Sequence, residues 1–495
     1  MKKRITAAIS PYIPFDRASD APFYRQIYEG YRAAILSGQI RPGQRLPSTR
    51  ALAAELNISR LPVINGFEQL LHEGYIEGKI GAGTYVNESI PDELTRPILS
   101  RASVKQQPRA MNQWRQEDAV SPGSNMPCNP DGLGAFRVSL PALDHFPHKI
   151  WSRLVSRQAK RLTVEFMAYG DPAGYPPLRE AIAQYLRTAR AVNCEAGQIL
   201  ITSGSQMALQ ICARVLLRPR DAVCIEEPGY PGARDALKST GASLAPIAVD
   251  DEGIDIHTMA KLGRKVRAVY VTPSHQYPLG SSMTASRRLE LLDWAQRRQA
   301  WIIEDDYDSE YRYASRSIAA LQGMDTDSRV IYIGTFSKVL FPALRVGYIV
   351  VPHALLSQFV RLREALDIFS PTLYQLVLTD FLQEGHFARH LRRMRSLYLS
   401  RRNALIESLQ AHLGKALRPY NTDAGLHLSA FLPSGADDLE IVRRAAQRGI
   451  SAGALSDCYA GRRPKSGLIL GFGGADETRI DPAVRTLSKV IRDLA

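Results

Sequence analysis

The chain has 495 residues, 63 Lys and Arg against 49 Asp and Glu, and a net charge of +14. An apolar fraction of 45% with 23% charged residues excludes a disordered polymer, a collagen and a coiled-coil rod. At ~150 residues per domain the length points to two to four domains. No apolar run reaches the ~18 residues of a membrane span, and Pro11, Pro14 and Asp16 break the basic start before a leader core can form. A cytoplasmic location with no membrane partner is therefore expected. Cys128, Cys194, Cys212, Cys224 and Cys458 are scattered without a C-x-x-C pair, so neither a disulfide framework nor a metal site is expected.

The first predicted helix lies in "PFYRQIYEGYRAAILSG", where Phe23, Ile27, Tyr31, Ala34 and Ile35 share one stripe and Gly38 ends it. Pro47 precedes a second short helix, "STRALAAEL". Ser59 is placed to cap a third, "RLPVINGFEQLLHEG", with Val63, Phe67, Leu70 and Leu71 as its buried stripe. Pro62 is tolerable in the first turn, where an N–H has no intrahelical partner anyway. "YIEG" and "GTYV" then read as strands joined by Lys79-Ile80-Gly81-Ala82-Gly83. Three helices and a hairpin make a winged helix-turn-helix. Its third helix should enter the major groove behind Ser59 and Arg60, with Arg50 near backbone or base edge. The competing reading is a three-helix adaptor with solvated arginines. The basic balance suits double-stranded DNA as a partner.

This module occupies residues 1–87. Residues 88–127 have weak periodicity and many Pro, Gln, Arg and Ser, and read as a linker with room for one short helix. In residues 128–495 apolar runs such as "QILITSG", "DAVCIEEPGY", "VRAVYVTPS", "QAWIIEDDY" and "RVIYIGTFS" alternate with longer amphipathic segments. Nearly continuous apolar strands separated by helices argue for a mostly parallel sheet covered on both faces. The arginine-rich run "HFARHLRRMRSLYLSRR" reads either as a second basic surface for DNA or as a solvated helix face.

Within this third zone, Lys338 in "GTFSKVLFPALRVGY" follows an apolar strand. A partly desolvated lysine is a neutral amine able to attack an aldehyde and hold it as a Schiff base. Thr335, Ser337 and Arg345 around it could cradle a dianion. Asp305, ending the strand "WIIED", can pair with a pyridinium nitrogen, and Tyr307 can reach the ring's phenolic oxygen. The N–H groups of Ser205 and Gln206 open a helix after a Gly turn, where a phosphate binds well. Tyr230 in "EEPGYPG" offers a flat face for stacking. Each piece alone has a plain explanation: a surface lysine, a helix cap, a solvated acidic turn. The ordered set at the strand ends of one α/β pattern points to pyridoxal 5'-phosphate.

The residues "PFYRQIYEGYRAAILSGQIRPGQRLPSTRALAAELNISR" and "LLHEGYIEGKIGAGTYV" resemble the winged-helix domain of GntR-type transcription regulators over residues 22–86. That resemblance implies DNA contacts from Arg50, Ser59, Arg60, Gly81 and Thr84. Leu61-Pro62 stands where the family usually carries a small polar residue. From about residue 140 onward the chain resembles fold-type I aminotransferases of class I. This implies Lys338 as the internal-aldimine lysine, Asp305 on the pyridine nitrogen, Tyr307 on the 3-hydroxyl and Tyr230 stacked on the ring. It also implies Ser205, Gln206, Thr335, Ser337 and Arg345 on the phosphate, and Tyr169 lent by a neighbouring subunit. Where aminotransferases have an Asn-Pro-x-Gly turn this chain has "SHQYPLG", so His275 or Gln276 stands in for the asparagine. Where they have a carboxylate-gripping arginine in the last strand it has Ile469, and Arg462 or Arg463 could reach in from the preceding loop.

The two halves together resemble the MocR subfamily of GntR-type regulators. The fold expected is multidomain, an N-terminal winged helix-turn-helix joined to an α/β fold-type I aminotransferase-like domain that binds pyridoxal 5'-phosphate. The function expected is a regulator that binds promoter DNA and senses an amine, an amino acid or pyridoxal phosphate itself through an aldimine at Lys338. A homodimer, head-to-tail and domain-swapped, goes with it. The alternative is an active aminotransferase with an appended DNA module. A residual aminotransferase half-reaction is compatible with the first reading.

Overall fold

The computed structural model describes residues 15–17, 19, 21–79, 82–88, 134–262, 265–313, 319–420, 423–461 and 464–494. The chain divides into two compact units, residues 1–113 and 114–495. The expected linker from residue 89 on, Cys128, Gly81, Arg462 and Arg463 lie outside the described residues.

The first unit holds α1 (Phe23–Leu36), α2 (Thr49–Glu55), α3 (Arg60–His72), β1 (Ile76–Lys79) and β2 (Gly83–Val86). In α1 the buried side chains are Ile27, Tyr31, Ala34 and Ile35, the stripe that the 3.6-residue period marks out. Ser48 caps α2 by accepting from Ala51 N at 3.1 Å. α3 packs across α1 at Gly66, where an added Cβ would lie 2.9 Å from Tyr24 O. Tyr31 meets Phe67 edge to face at 5.3 Å.

Three expectations shift here. Ser59 does occupy the N-cap of α3, but its side chain makes no capping hydrogen bond. Leu71 is 47% exposed while Leu70 is fully buried, because one residue turns the side chain about 100° round the helix. Lys79 and Gly83 face each other as a strand pair, not as loop residues.

The second unit is built on an eight-stranded sheet. Its strands are β3 (Ile199–Thr202), β4 (Ala222–Glu227), β5 (Ser243–Asp250), β6 (Gly253–Ile254), β7 (Val266–Val271), β8 (Trp301–Asp306), β9 (Val330–Thr335) and β10 (Gly347–Val350), in the order β3-β10-β9-β8-β7-β4-β5-β6. Strands β9, β8, β7, β4 and β5 run parallel, each with its neighbour. β10 is antiparallel to both β9 and β3, and β6 is antiparallel to β5. The sheet is therefore mixed where a mostly parallel one was expected. Residues 336–346, between β9 and β10, are too few for a crossover helix, so the chain returns directly and runs the other way.

Around the sheet lie α4 (His148–Ala159), α5 (Val164–Met167), α6 (Pro176–Arg190), α7 (Ser205–Leu216), α8 (Pro231–Lys238), α9 (Ile256–Ala260), α10 (Ala285–Arg298), α11 (Leu356–Asp367) and α12 (Thr372–Gln383). Strand residues alternate between two cores. Ile201, Tyr332, Tyr348 and Val350 join one, while Leu200, Ile331, Ile333 and Ile349 join the other. Both faces are thus buried, which is why these strands read as unbroken apolar runs.

A four-stranded antiparallel sheet follows, β11 (Arg418–Tyr420), β12 (His427–Phe431), β13 (Gly453–Ala454) and β14 (Gly467–Gly471), in the order β11-β12-β14-β13. It is flanked by α13 (His386–His412), α14 (Asp438–Ala446) and α15 (Glu477–Arg492). The arginine run lies on α13, and five of its six arginines donate a hydrogen bond within the unit. Arg401 is 2% exposed and donates to Gly473 O at 2.6 Å and to Asp144 at 3.2 Å. Arg395 donates to Glu310 O, Arg393 to His145 O, Arg389 to Glu384 O and Arg402 to Asp423. These hydrogen bonds tie α13 to the rest of the unit, while Arg389, Arg392, Arg393 and Arg395 stay exposed on its outer face.

Candidate functional site

The site residues gather at the strand ends of the large sheet. β3 ends at Thr202, and Gly204, at φ 93°, turns the chain into α7. That backbone angle and the close approach of Arg345 both call for glycine, since an added Cβ would lie 3.0 Å from Arg345 Nη1. Arg345, itself at φ 52°, donates to Ser203 O. A guanidinium therefore lies against the free N–H groups of the twelve-residue α7, a built anion cradle. Thr335 pairs in register with Gly347, which pairs in turn with Thr202, and this brings the segment 335–337 to the same corner. Gln206 Nε2 donates to Gly232 O at 2.9 Å and ties α7 to the turn that carries Tyr230.

Asp305 lies at the end of β8 and is 4% exposed. Its Oδ2 accepts from Tyr270 Oη at 2.8 Å, while its Oδ1 is buried with no partner. Burial, reinforced by the neighbouring Asp306 charge, pushes its pKa up to about 7 against the Tyr270 hydrogen bond. Burial likewise lowers Lys338 to about 8, opposed by the Asp308 and Asp305 charges. At the next residue of β8, Arg190 pairs with Asp306 Oδ2 at 2.9 Å, both side chains 2% exposed, while Asp306 Oδ1 is buried with no partner.

Tyr307 Oη lies 3.0 Å from His275 Nδ1, and Asp308 Oδ1 lies 2.9 Å from the same nitrogen. Of the two candidates to replace the asparagine, His275 is therefore the one beside Tyr307. Gln276 turns away, donating to Pro228 O at 2.8 Å and to Tyr277 O. The rings of Tyr230 and Tyr277 meet at 5.5 Å and those of Tyr277 and Tyr307 at 6.1 Å, giving the site an aromatic wall. Ile469 is buried in β14 against Leu279, Leu455 and Cys458.

Tyr169 stands apart from this group. It is 82% exposed and touches Phe369 at the surface. Tyr270, Asp308 and His427 belong to the site and were not singled out from sequence. Tyr270 looked like one more apolar strand residue, and Asp308 looked like the tail of an acidic turn. His275, Asp308 and His427 also bring metal-capable donor atoms within 4.8 Å of one another, a grouping that no local spacing announced.

A phosphorylated pyridine aldehyde fits the residues present. The orphaned Asp305 Oδ1 suits a protonated ring nitrogen, the Arg345 and α7 cradle suits the phosphate, and Lys338 is a half-buried amine on which the Asp305 and Arg345 charges act. Since only the neutral amine attacks a carbonyl, capture of the aldehyde should speed up as pH rises toward about 8 and level off above it. Stopped-flow absorbance on apoprotein measures this. A rate still climbing at pH 10 would mean that Lys338 titrates like an ordinary lysine.

Residues 145–456 match the family "Aminotransferase class I and II", and residues 23–86 match "Bacterial regulatory proteins, gntR family". The chain is 40% identical to the probable rhizopine catabolism regulatory protein MocR of Rhizobium meliloti, over 95% of this chain and 94% of that protein. It is 31% identical to the HTH-type pyridoxine biosynthesis transcriptional regulator PdxR of Corynebacterium glutamicum, over 94% and 95%. Among solved structures, Pyrococcus horikoshii kynurenine aminotransferase aligns with a TM-score of 0.68 at 29% identity, covering 72% of this chain and 90% of that one. LysN, the α-aminoadipate aminotransferase of Thermus thermophilus, solved with N-(5'-phosphopyridoxyl)-L-leucine, also gives 0.68, at 28% identity over 74% and 93%.

Proposed function

The chain belongs to the MocR group of GntR-type transcription regulators, helix-turn-helix proteins that carry a class I aminotransferase domain, and from this we propose that it controls a promoter in response to an amine captured beside Lys338. The cofactor is pyridoxal 5'-phosphate, and when bound it supplies an aldehyde that condenses with amines and a ring that withdraws electrons. Lys338 offers the competing amine, its pKa lowered to about 8 by burial. Asp305 would hold the ring nitrogen protonated through its unpartnered Oδ1, and Arg345 with the start of α7 would hold the phosphate. The single observation that carries the reading is the half-buried Lys338, its amine within the field of Asp305, whose Oδ1 is unpartnered, in a chain whose other unit matches a DNA-binding regulator family.

Regulation requires that the ligand bind two states of the chain with different affinity. An amine ligand that frees Lys338 alters charge and hydrogen bonding at the site, which provides such a difference. The ligand is an amine, an amino acid or pyridoxal phosphate itself, and an amino acid's carboxylate would look to Arg462 or Arg463. The acting form is a cytoplasmic homodimer, with Tyr169 exposed where a partner subunit would receive it. Lys338, Asp305 and Arg345 also suit an active aminotransferase, and turnover separates the two readings.

The test is a titration of purified holoprotein with amines, amino acids and pyridoxal phosphate, read by absorbance and by footprinting upstream of its own gene. An amine should change both the spectrum and the footprint without repeated turnover of a keto acid. Sustained transamination with an unchanged footprint would make the chain an enzyme instead.

A further inference from the structure

We infer that Tyr270 is a positioning residue: its hydroxyl pins Oδ2 of Asp305, leaves Oδ1 for the ring nitrogen of the cofactor, and so keeps the proton on that nitrogen. This rests on the reading above that pyridoxal phosphate occupies the site.

The strand register sets up the contact. β7 and β8 run parallel with Tyr270 opposite Ile303, and Asp305 lies two residues further along β8, on the same face. Two strand residues span ~6.6 Å, a distance that a phenol crosses and a serine or threonine does not. Tyr270 is 1% exposed and packs in one core with Leu209, Ile225 and Ile303. Its Oη donates to Asp305 Oδ2 at 2.8 Å, and Asp305 Oδ1 is left buried and unpartnered. Burial and the Asp305 charge raise Tyr270 well above its usual value, so the phenol keeps its proton and is the donor of the pair.

The hydrogen bond has this weight because burial brings Asp305 up to about 7. A carboxylate that basic competes with a pyridine nitrogen for the one proton between them. A donor on Oδ2 stabilises the ionised carboxylate and leaves the proton to the ring. Without that donor the proton passes to Oδ1, and the ring nitrogen turns from donor to acceptor within an intact hydrogen bond. The ring then withdraws electrons less strongly.

The other groups facing this pair are occupied or uncharged. Glu226 on β4 faces Tyr270 and is itself raised to about 7 by burial, but its Oε2 accepts from Thr272 Oγ1 at 2.6 Å and from Thr272 N at 3.2 Å. Asp306 pairs with Arg190, and Asp308 with His275. Cys212 on α7 and Tyr230 are both raised by burial and stay neutral. Lys338 adds a positive charge that also favours the ionised form of Asp305.

The test is nitrogen NMR of holoprotein rebuilt with ring-labelled pyridoxal phosphate, with cofactor content and circular dichroism recorded alongside. Free cofactor at high pH supplies the value of the neutral ring, and wild type should show the protonated one. Tyr270→Phe keeps the packing of the aromatic ring. It should shift the proton ratio toward Asp305 by roughly tenfold, the scale of one hydrogen bond to a charged group, and move the resonance toward the neutral value. A fluorinated tyrosine at position 270, a stronger donor of nearly the same size, should hold the wild-type value. A merely structural role would loosen the cofactor in Y270F and leave the resonance in place. That result, or a fluorinated residue that moves the resonance toward neutral, overturns the inference. If wild type binds no cofactor, the inference and the sensing reading fall together. If wild type binds it with a neutral ring, only the inference falls.

Discussion

Lys338→Ala should abolish the absorbance of bound cofactor and every spectral or footprint response to added amine, while leaving binding to the operator in place. Lys338 is half-buried within the field of Asp305, Asp308 and Arg345, and no other lysine lies in the segment 330–350, so no neighbour takes its place. Removing it also lifts a buried amine away from Asp305 and Asp308, so the fold should survive the change. Absorbance, a gel shift at fixed salt and a melting curve measure the three parts separately. An amine response that persists in the alanine protein would show that ligand is sensed elsewhere.

Arg50→Ala and Arg60→Ala should weaken operator binding in different ways. Both arginines are exposed, Arg50 in the first turn of α2 and Arg60 at the start of α3. Arg60 Nε donates to Thr49 Oγ1 at 3.0 Å, which pins the two helix starts together. Arg50 is assigned to a phosphate. Its loss should weaken all sequences alike and lower the salt slope by ~0.9. Arg60 is assigned to a base edge. Its loss should cost ~1–3 kcal/mol on the operator and much less on random DNA. Fluorescence anisotropy across a salt series, on operator and scrambled duplexes, reads both. Equal losses on the two duplexes for Arg60→Ala would move it to the backbone class. Exposed Leu61 and half-buried Pro62 follow Arg60 within the first turn of α3 and offer a base edge apolar contact only.

Much of the site was legible because its chemistry sits on local punctuation. Lys338 and Asp305 each follow an apolar strand, Arg345 precedes one, and Ser205 follows a glycine turn, so residue type and element end appear together in a short window. Leu71 shows the limit within a helix. Two adjacent leucines satisfy the same apolar pattern, and only the angle at which α3 meets α1 selects Leu70 for the core. The arginines of α13 show it for charge. Their count reads as a nucleic-acid surface or a solvated face, and only the fold sets Arg401 inside, on partners at 144 and 473, while Arg389, Arg392, Arg393 and Arg395 stay exposed.

What the amino-acid order determined by itself was the division of labour: a basic winged helix in front, an α/β domain behind, and a lysine, a carboxylate and an arginine at its strand ends. These follow from short-range rules, since helix period, glycine turns and strand hydrophobicity are set by neighbours in the chain. The tertiary structure alone decided the direction of β10, the choice of His275 over Gln276, and the meeting of Tyr270 with Asp305 and of Asp308 and His427 with His275. Those contacts join segments far apart in sequence. They are imposed by the closing of loops and the packing of two sheets, and no local pattern records such a choice.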